Sequence, residues 1–123
     1  MAKILIIDDE DLVRLTLRQT LERLGHQVRE ANNGAVGVKM QAADPADLVV
    51  TDIIMPDQEG VETIIQLRQA DPALKVIAMS GGGRTGATDY LECAKKYGAE
   101  QVFAKPFKRK EFVAAVERCL GTA

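Results

Sequence analysis

The sequence has few of the residues that build soft-metal sites, since it contains only two cysteines and one histidine. Cys93 and Cys119 lie on separate predicted helices, and their spacing is not that of metal ligands. We interpret both as free, buried thiols of a protein kept in a reducing compartment. His26 follows Gly25, which ends the first predicted helix, and this position is typical of a surface turn. The cysteine pattern therefore argues against a thiolate metal site.

Long hydrophobic runs and a strong excess of one charge are also absent. No apolar segment approaches membrane-spanning length, and the N-terminus reaches a strand-like run by Ile4 without the architecture of a signal peptide. The net charge is −2, so no overall basic field attracts nucleic acid or anionic lipid. We therefore expect a cytoplasmic protein that binds neither nucleic acid nor membranes.

The chain also lacks linkers and low-complexity tracts. Its hydrophobic share of 46% and charged share of 28% are ordinary for a globular protein. A chain of 123 residues is long enough for one core and too short for two. We expect a single domain over residues 1–123 with no output domain attached.

Short apolar runs alternate five times with segments of helical periodicity. The predicted strands are Lys3–Ile7, Gln27–Ala31, Asp47–Thr51, Lys75–Met79 and Gln101–Ala104. The predicted helices are a first one with Val13, Leu17, Leu21 and Leu24 on one face, then Asn33–Ala43, Glu59–Ala70, Ala87–Tyr97 and Lys108–Leu120. The first, third and fourth strands are continuously apolar, as in strands covered on both faces. The pattern predicts a doubly wound α/β fold with a parallel sheet.

A glycine-rich segment follows the fourth predicted strand. Gly81, Gly83 and Gly86 match G-x-G-x-x-G, the pattern that binds a dinucleotide pyrophosphate. Gly81 and Gly86 also match the frame of a P-loop, but Ala87 stands where its lysine belongs. A dinucleotide fingerprint belongs at the first βα turn of a longer fold. Nucleotide binding through the Gly81–Gly86 loop is therefore a disfavoured alternative.

Charged and polar residues are concentrated where the predicted strands end. They are Asp8 and Asp9 after the first strand, Asp52 after the third, Ser80 after the fourth and Lys105 after the fifth. Ligands of doubly wound sheets bind beyond the carboxyl ends of the strands, so these side chains are expected to converge. Asp9 or Asp11 has a simpler explanation as a cap of the first helix. Capping does not explain Asp8, Asp9 and Asp52 together.

A cluster of carboxylates indicates a bound cation, because like charges a few ångströms apart resist ionising together. Ligands that are all oxygen atoms favour Mg²⁺. With a metal present, one carboxylate becomes a plausible nucleophile toward phosphorus, since the metal and Lys105 neutralise charge on the transferring oxygens.

Four motifs occur in order, each at the end of a predicted strand. They are IIDDE at Ile6–Glu10, D-x-x-M-P-x-x-x-G at Asp52–Gly60, Ser80, and K-P-F at Lys105–Phe107. With these motifs the chain resembles, over essentially its whole length, the receiver domain of two-component response regulators, close to the stand-alone chemotaxis (CheY-like) type. The resemblance implies a flavodoxin-like, five-stranded parallel sheet in the order 2-1-3-4-5, with five helices.

The resemblance also implies roles for the acidic residues. Asp52 would be the phosphoacceptor, which takes a phosphoryl group from a histidine kinase or a histidine phosphotransfer protein. Asp8 and Asp9 would hold Mg²⁺ together with Asp52 and the backbone carbonyl of Ile54. Such a domain catalyses only its own phosphorylation and dephosphorylation, so it is not an enzyme that acts on other substrates.

The implied switch departs from the family at one position. Ser80 and Lys105 would contact the phosphoryl oxygens, with the Ser80 hydroxyl moving toward them on activation. The residue three before the lysine is usually aromatic and moves with that hydroxyl, but here it is Val102, so the usual coupling cannot operate. The family's output face is made of helix four, strand five and helix five. Tyr90 and Tyr97 of the fourth predicted helix are therefore candidates for contact with an unknown protein target.

Two classes of function compete. In the first, phosphorylation operates a signalling switch or loads a phosphate sink. In the second, the chain is a pseudo-receiver scaffold that keeps the fold and never accepts phosphate. The intact acidic set and Lys105 favour the first, because a scaffold does not need a cluster of like charges.

Overall fold

The computed structural model describes residues 2–53, 60–80, 96, 98–104 and 108–121. Its strands are β1 (Lys3–Ile7), β2 (Gln27–Ala31), β3 (Leu48–Asp52), β4 (Lys75–Ser80) and β5 (Gln101–Ala104). Its helices are α1 (Asp11–Arg23), α2 (Gly34–Ala43), α3 (Gly60–Ala70) and α4 (Arg109–Leu120). The helix predicted at 87–97 lies, apart from residue 96, outside the described residues. In the described ranges, no helix is long and apolar enough to cross a membrane.

The five strands form one parallel sheet in the order β2-β1-β3-β4-β5. The apolar runs of β1, β3 and β4 are almost completely buried, because helices cover both faces of these strands. The predicted α/β fold and strand order are therefore confirmed.

The core has two layers, one on each face of the sheet. Leu5 and Ile7 of β1 pack with residues of α2 and α3, whereas Ile4 and Ile6 pack with residues of α1 and α4. This division follows from the strand geometry, in which successive side chains point to opposite faces. The ends of the strands, rather than either face, are left for a site.

The helix boundaries show where the sequence prediction was right and where it was wrong. Gly25 has a φ of 92° and its N–H donates to the Glu22 carbonyl at 3.0 Å, which confirms it as the residue that ends α1. Leu24 was predicted on the apolar face of that helix, but it is 43% exposed. It is the C-terminal capping residue, where the helical periodicity no longer applies.

Asn33, predicted as the first residue of the second helix, is instead the N-cap of α2. Its backbone is extended, and its side-chain oxygen accepts a hydrogen bond from the Val36 N–H at 2.9 Å. An asparagine in this position satisfies one of the backbone donors that the first helical turn leaves without a partner.

Candidate acidic functional site

The register of β1 against β3 brings Asp8 and Asp52 to the same edge of the sheet. Ile7 pairs with Thr51, so the residues that follow them, Asp8 and Asp52, lie side by side. Asp52 is the last residue of β3, and Asp8 lies one residue beyond β1. Asp8 is fully buried and Asp52 is 3% exposed. Buried carboxylates are costly unless other groups or a cation compensate their charge.

Two further carboxylates complete a cluster at this edge. Asp8, Asp9, Glu10 and Asp52 each offer one carboxylate oxygen, and these oxygens all lie within 4.8 Å of one another. Asp9 and Glu10 are exposed, so the cluster is closed by the sheet on one side and open to solvent on the other. Four anionic oxygens, two of them buried, are the donor set that suits a hard divalent cation. The residues therefore fit Mg²⁺.

Capping of the first helix does not account for these acidic residues. Glu10 is the N-cap of α1, and its side chain makes no capping hydrogen bond. Asp9 precedes the cap, and Asp11 is the first helical residue. The alternative in which Asp9 or Asp11 caps the helix is therefore wrong.

The backbone around Asp8 is held by several hydrogen bonds. The Asp8 N–H donates to the Ala31 carbonyl of β2 at 3.1 Å. Its carboxylate oxygen Oδ1 accepts from the Glu10 N–H at 2.9 Å, which turns the chain sharply after the strand. Its carbonyl accepts from the Arg14 guanidinium of α1 at 2.6 Å. These bonds fix both the main chain and the side chain of Asp8.

The neighbouring strand ends lie along the same edge. Asp52 pairs with Met79, and the Ile53 N–H donates to the Met79 carbonyl at 2.9 Å, one residue beyond β3. Ser80 is the last residue of β4 and pairs with Ala104, the last residue of β5. The backbone of Ser80 is therefore at the edge that carries Asp8 and Asp52.

Several residues proposed from the sequence are not described. Lys105, Ile54, Tyr90, Tyr97 and the Gly81–Gly86 loop lie outside the described residues. Their predicted roles therefore stay predictions.

Val102 and the adjacent Phe103 face opposite layers of the core. Val102 packs against the layer that contains α2 and α3, and Phe103 against the layer that contains α1 and α4. The ring of Phe103 meets the buried ring of Phe112 edge to face, with 6.4 Å between centroids. Successive side chains of β5 thus point to opposite faces of the sheet, and Phe103 does not occupy the side on which Val102 lies.

Glu10 is the acidic residue whose part in the cluster was not predicted. Glu10 belongs to the acidic run Asp8–Asp11 of the sequence. Its position after a strand does not tell whether its side chain points toward the end of that strand. The Asp8 Oδ1 bond to the Glu10 N–H is the local contact that decides this.

Comparison with known proteins gives a consistent answer. The family model of the response regulator receiver domain matches residues 4–117. The chain is 36% identical over 121 residues to the DNA-binding transcriptional regulator NtrC of Azospirillum brasilense, covering 98% of this chain but 24% of that protein. It is 34% identical over 119 residues to the chemotaxis protein CheY of Listeria monocytogenes, covering 96% of this chain and 98% of that protein.

The fold comparison agrees. The crystal structure of a response regulator receiver domain protein from Clostridium thermocellum superimposes with a TM-score of 0.89 at 28% identity, covering 98% of this chain and 95% of that one. The chain thus spans about a quarter of the NtrC relatives that it matches and nearly all of CheY. The chain belongs to the response regulator receiver domain family, the phosphoacceptor signalling domains of two-component systems.

Proposed function

We propose that this chain is a switch operated by Mg²⁺-dependent phosphorylation of Asp52. The observation that supports this most directly is the convergence of the Asp8, Asp9, Glu10 and Asp52 carboxylate oxygens within 4.8 Å. Asp52 suits the nucleophile because it ends a central strand and is held on a rigid part of the sheet. Asp8 and Asp9 would hold the cation with it, together with the backbone carbonyl of Ile54.

The proposed reaction transfers one phosphoryl group from a phosphohistidine. An Asp52 carboxylate oxygen forms a bond to phosphorus as the bond from phosphorus to the imidazole nitrogen breaks, and the nitrogen keeps the electron pair. When bound, Mg²⁺ supplies charge stabilisation for the phosphoryl oxygens. Ser80 and Lys105 are the further groups proposed to contact those oxygens. The domain acts on no other substrate, so its catalysis is limited to its own phosphorylation and dephosphorylation.

The donor in this proposal is a histidine kinase or a histidine phosphotransfer protein. The output is contact with a protein target through the surface made of the predicted helix 87–97, β5 and α4, to which Tyr90 and Tyr97 contribute. With Val102 in place of an aromatic residue, switching depends on the segment after Ser80 rather than on a ring that moves within β5. We propose that the domain works in the cytoplasm, as a single unit over residues 1–123.

Intact mass spectrometry tests the proposal. The chain is incubated with Mg²⁺ and a small phosphodonor such as acetyl phosphate, and a mass gain of one phosphoryl group is expected. Asp52→Asn should abolish the gain, and excess EDTA should abolish it in the unsubstituted chain. Asp47→Asn, a change just before the opposite end of β3, should leave the gain intact. If the mass of the unsubstituted chain does not change with any donor, the chain is instead a scaffold. If Asp52→Asn still gains the mass of one phosphoryl group, the phosphoacceptor is a different residue.

A further inference from the structure

We propose that Arg14 is a positioning residue for the acidic site, acting through the Asp8 backbone rather than through contact with substrate. This inference rests on the proposed function. It adds a residue of α1 that cannot be identified from the positions of the strand ends. Arg14 Nη1 donates to the Asp8 carbonyl at 2.6 Å. That carbonyl belongs to the peptide that joins Asp8 to Asp9, so the guanidinium holds the plane between two proposed metal ligands.

The guanidinium is itself anchored to the sheet. Arg14 Nε lies 3.2 Å from Glu30 Oε1 in β2, and Nη2 is paired with Asp11. The Arg14 side chain is only 13% exposed. A nearly buried guanidinium with three acceptors is rigid, because the planar donor group matches them in one orientation.

Both sides of Asp8 are thereby tied to adjacent residues of β2. The Asp8 N–H donates directly to the Ala31 carbonyl at 3.1 Å. The Asp8 carbonyl is tied through Arg14 to Glu30, which also pairs with Arg18 at 2.8 Å. This arrangement sets the direction in which the chain leaves β1, and hence where the Asp9 carboxylate points relative to Asp52.

Simple electrostatics would not place an arginine here. Arg14 lies in the first turn of α1, where a cation opposes the helix macrodipole. Its charge also repels a divalent cation held by the neighbouring carboxylates. Charge alone therefore predicts that removing Arg14 strengthens Mg²⁺ binding, whereas positioning predicts the opposite. The sign of the change separates the two explanations.

The experiment measures Mg²⁺ affinity by titration of backbone amide NMR signals, which needs no phosphorylation. Arg14→Met keeps an unbranched side chain but removes every donor and the charge. We expect its Mg²⁺ affinity to fall about tenfold, the usual loss when a residue that orients metal ligands is removed. Arg18→Met is the matched control, since Arg18 lies one turn away on α1 and pairs with Glu30 and Glu22. It should leave the Mg²⁺ affinity within about twofold of the unsubstituted chain.

Two further variants separate positioning from stability. Arg14→Lys keeps the charge and one donor group, and should recover part of the lost affinity. Glu30→Gln weakens the anchor of Arg14 and should lower the affinity in the same direction, which gives a result even if Arg14→Met does not fold. Urea denaturation measures the stability of each variant, so that an affinity loss in a stable variant reports on the site.

An Mg²⁺ affinity of Arg14→Met that is unchanged, or higher, would overturn the inference. Equal losses in Arg14→Met and Arg18→Met would also overturn it, because they would show a general effect of α1. If the unsubstituted chain itself binds no Mg²⁺, the proposed function fails first and this inference fails with it. Binding by the unsubstituted chain with no loss in Arg14→Met rejects the positioning role alone.

Discussion

Gly37 of α2 lies so close to Ile7 of β1 that a methyl group on Gly37 would sit 2.3 Å from Ile7 Cδ1 and 2.7 Å from its Cγ1. Ile7 is fully buried and directly precedes Asp8. The helix can approach the sheet at this point only because residue 37 has no side chain. Glycine has a low helix propensity, but packing beside the acidic site requires it at position 37.

Gly37→Ala should accordingly destabilise the fold. Overpacking of a buried site costs about 1–3 kcal/mol, and the better helix propensity of alanine offsets about 1 kcal/mol of it. We expect a net loss of about 1 kcal/mol in the free energy of unfolding, measured by urea denaturation. Ile7→Val removes the nearest methyl group and should cost less in the Gly37→Ala background than alone. Strictly additive losses in this double-mutant cycle would contradict the packing explanation.

Asp9→Ala should weaken Mg²⁺ binding and slow phosphorylation by a small phosphodonor, because a carboxylate of the cluster is lost. Asp44→Ala provides the control, since Asp44 is exposed, pairs with Lys3 at the start of β1 and is not part of the cluster. Amide NMR titration measures the affinity of both variants. Equal affinities in the two would mean that the exposed edge of the cluster does not hold the cation.

Asn33→Ala should lower the free energy of unfolding by about 1 kcal/mol, the usual cost of losing an N-cap side chain. The bond lost is the one from the Val36 N–H to Asn33 Oδ1. Asn32→Ala changes the same residue type one position earlier, where the side chain does not cap α2, and should cost less than about 0.5 kcal/mol. Thermal unfolding followed by circular dichroism compares them, and similar losses would reject the capping assignment.

Cys119 should react with iodoacetamide more slowly in the folded chain than in urea. Burial raises the pKa of its thiol, with a smaller contribution from the charge of Glu100. The folded state therefore favours the protonated thiol. The contribution of Cys119 to the free energy of unfolding is fully present below the unfolded pKa of about 8.5, and it is lost as pH rises through the higher folded pKa. Peptide mapping across pH 7–10 separates Cys119 from Cys93. The same pH profile for Cys119 in both states would contradict the effect of burial.

The prediction of the sheet succeeded because the relevant signals are local. Continuous apolar runs identify strands covered on both faces, and a polar residue directly after such a run must lie at the sheet edge. The sequence alone therefore predicts that Asp8 and Asp52 lie close together. The prediction for Leu24 was wrong because the helical spacing of apolar residues continues in the sequence past Arg23, where the helix ends.

Local sequence patterns do not predict contacts between segments that are far apart in the sequence. The guanidinium of Arg14 contacts both Asp8 and Glu30, and Glu30 is sixteen residues away in β2. No spacing rule connects a first-turn arginine with a residue of an edge strand. The close approach of Gly37 to Ile7 was hidden for the same reason, since it depends on how α2 packs on β1.

The crowding of carboxylates at the end of β1 and β3 has a consequence for how this sequence tolerates change. Acidic groups held within 4.8 Å of one another repel when no cation is bound, so neutral residues at 8 and 52 would relieve that repulsion in the folded chain. Selection for heat resistance alone would therefore tend to remove Asp52, the proposed phosphoacceptor. A variant of this domain selected only for a higher melting temperature is expected to lose carboxylates that the proposed phosphorylation needs.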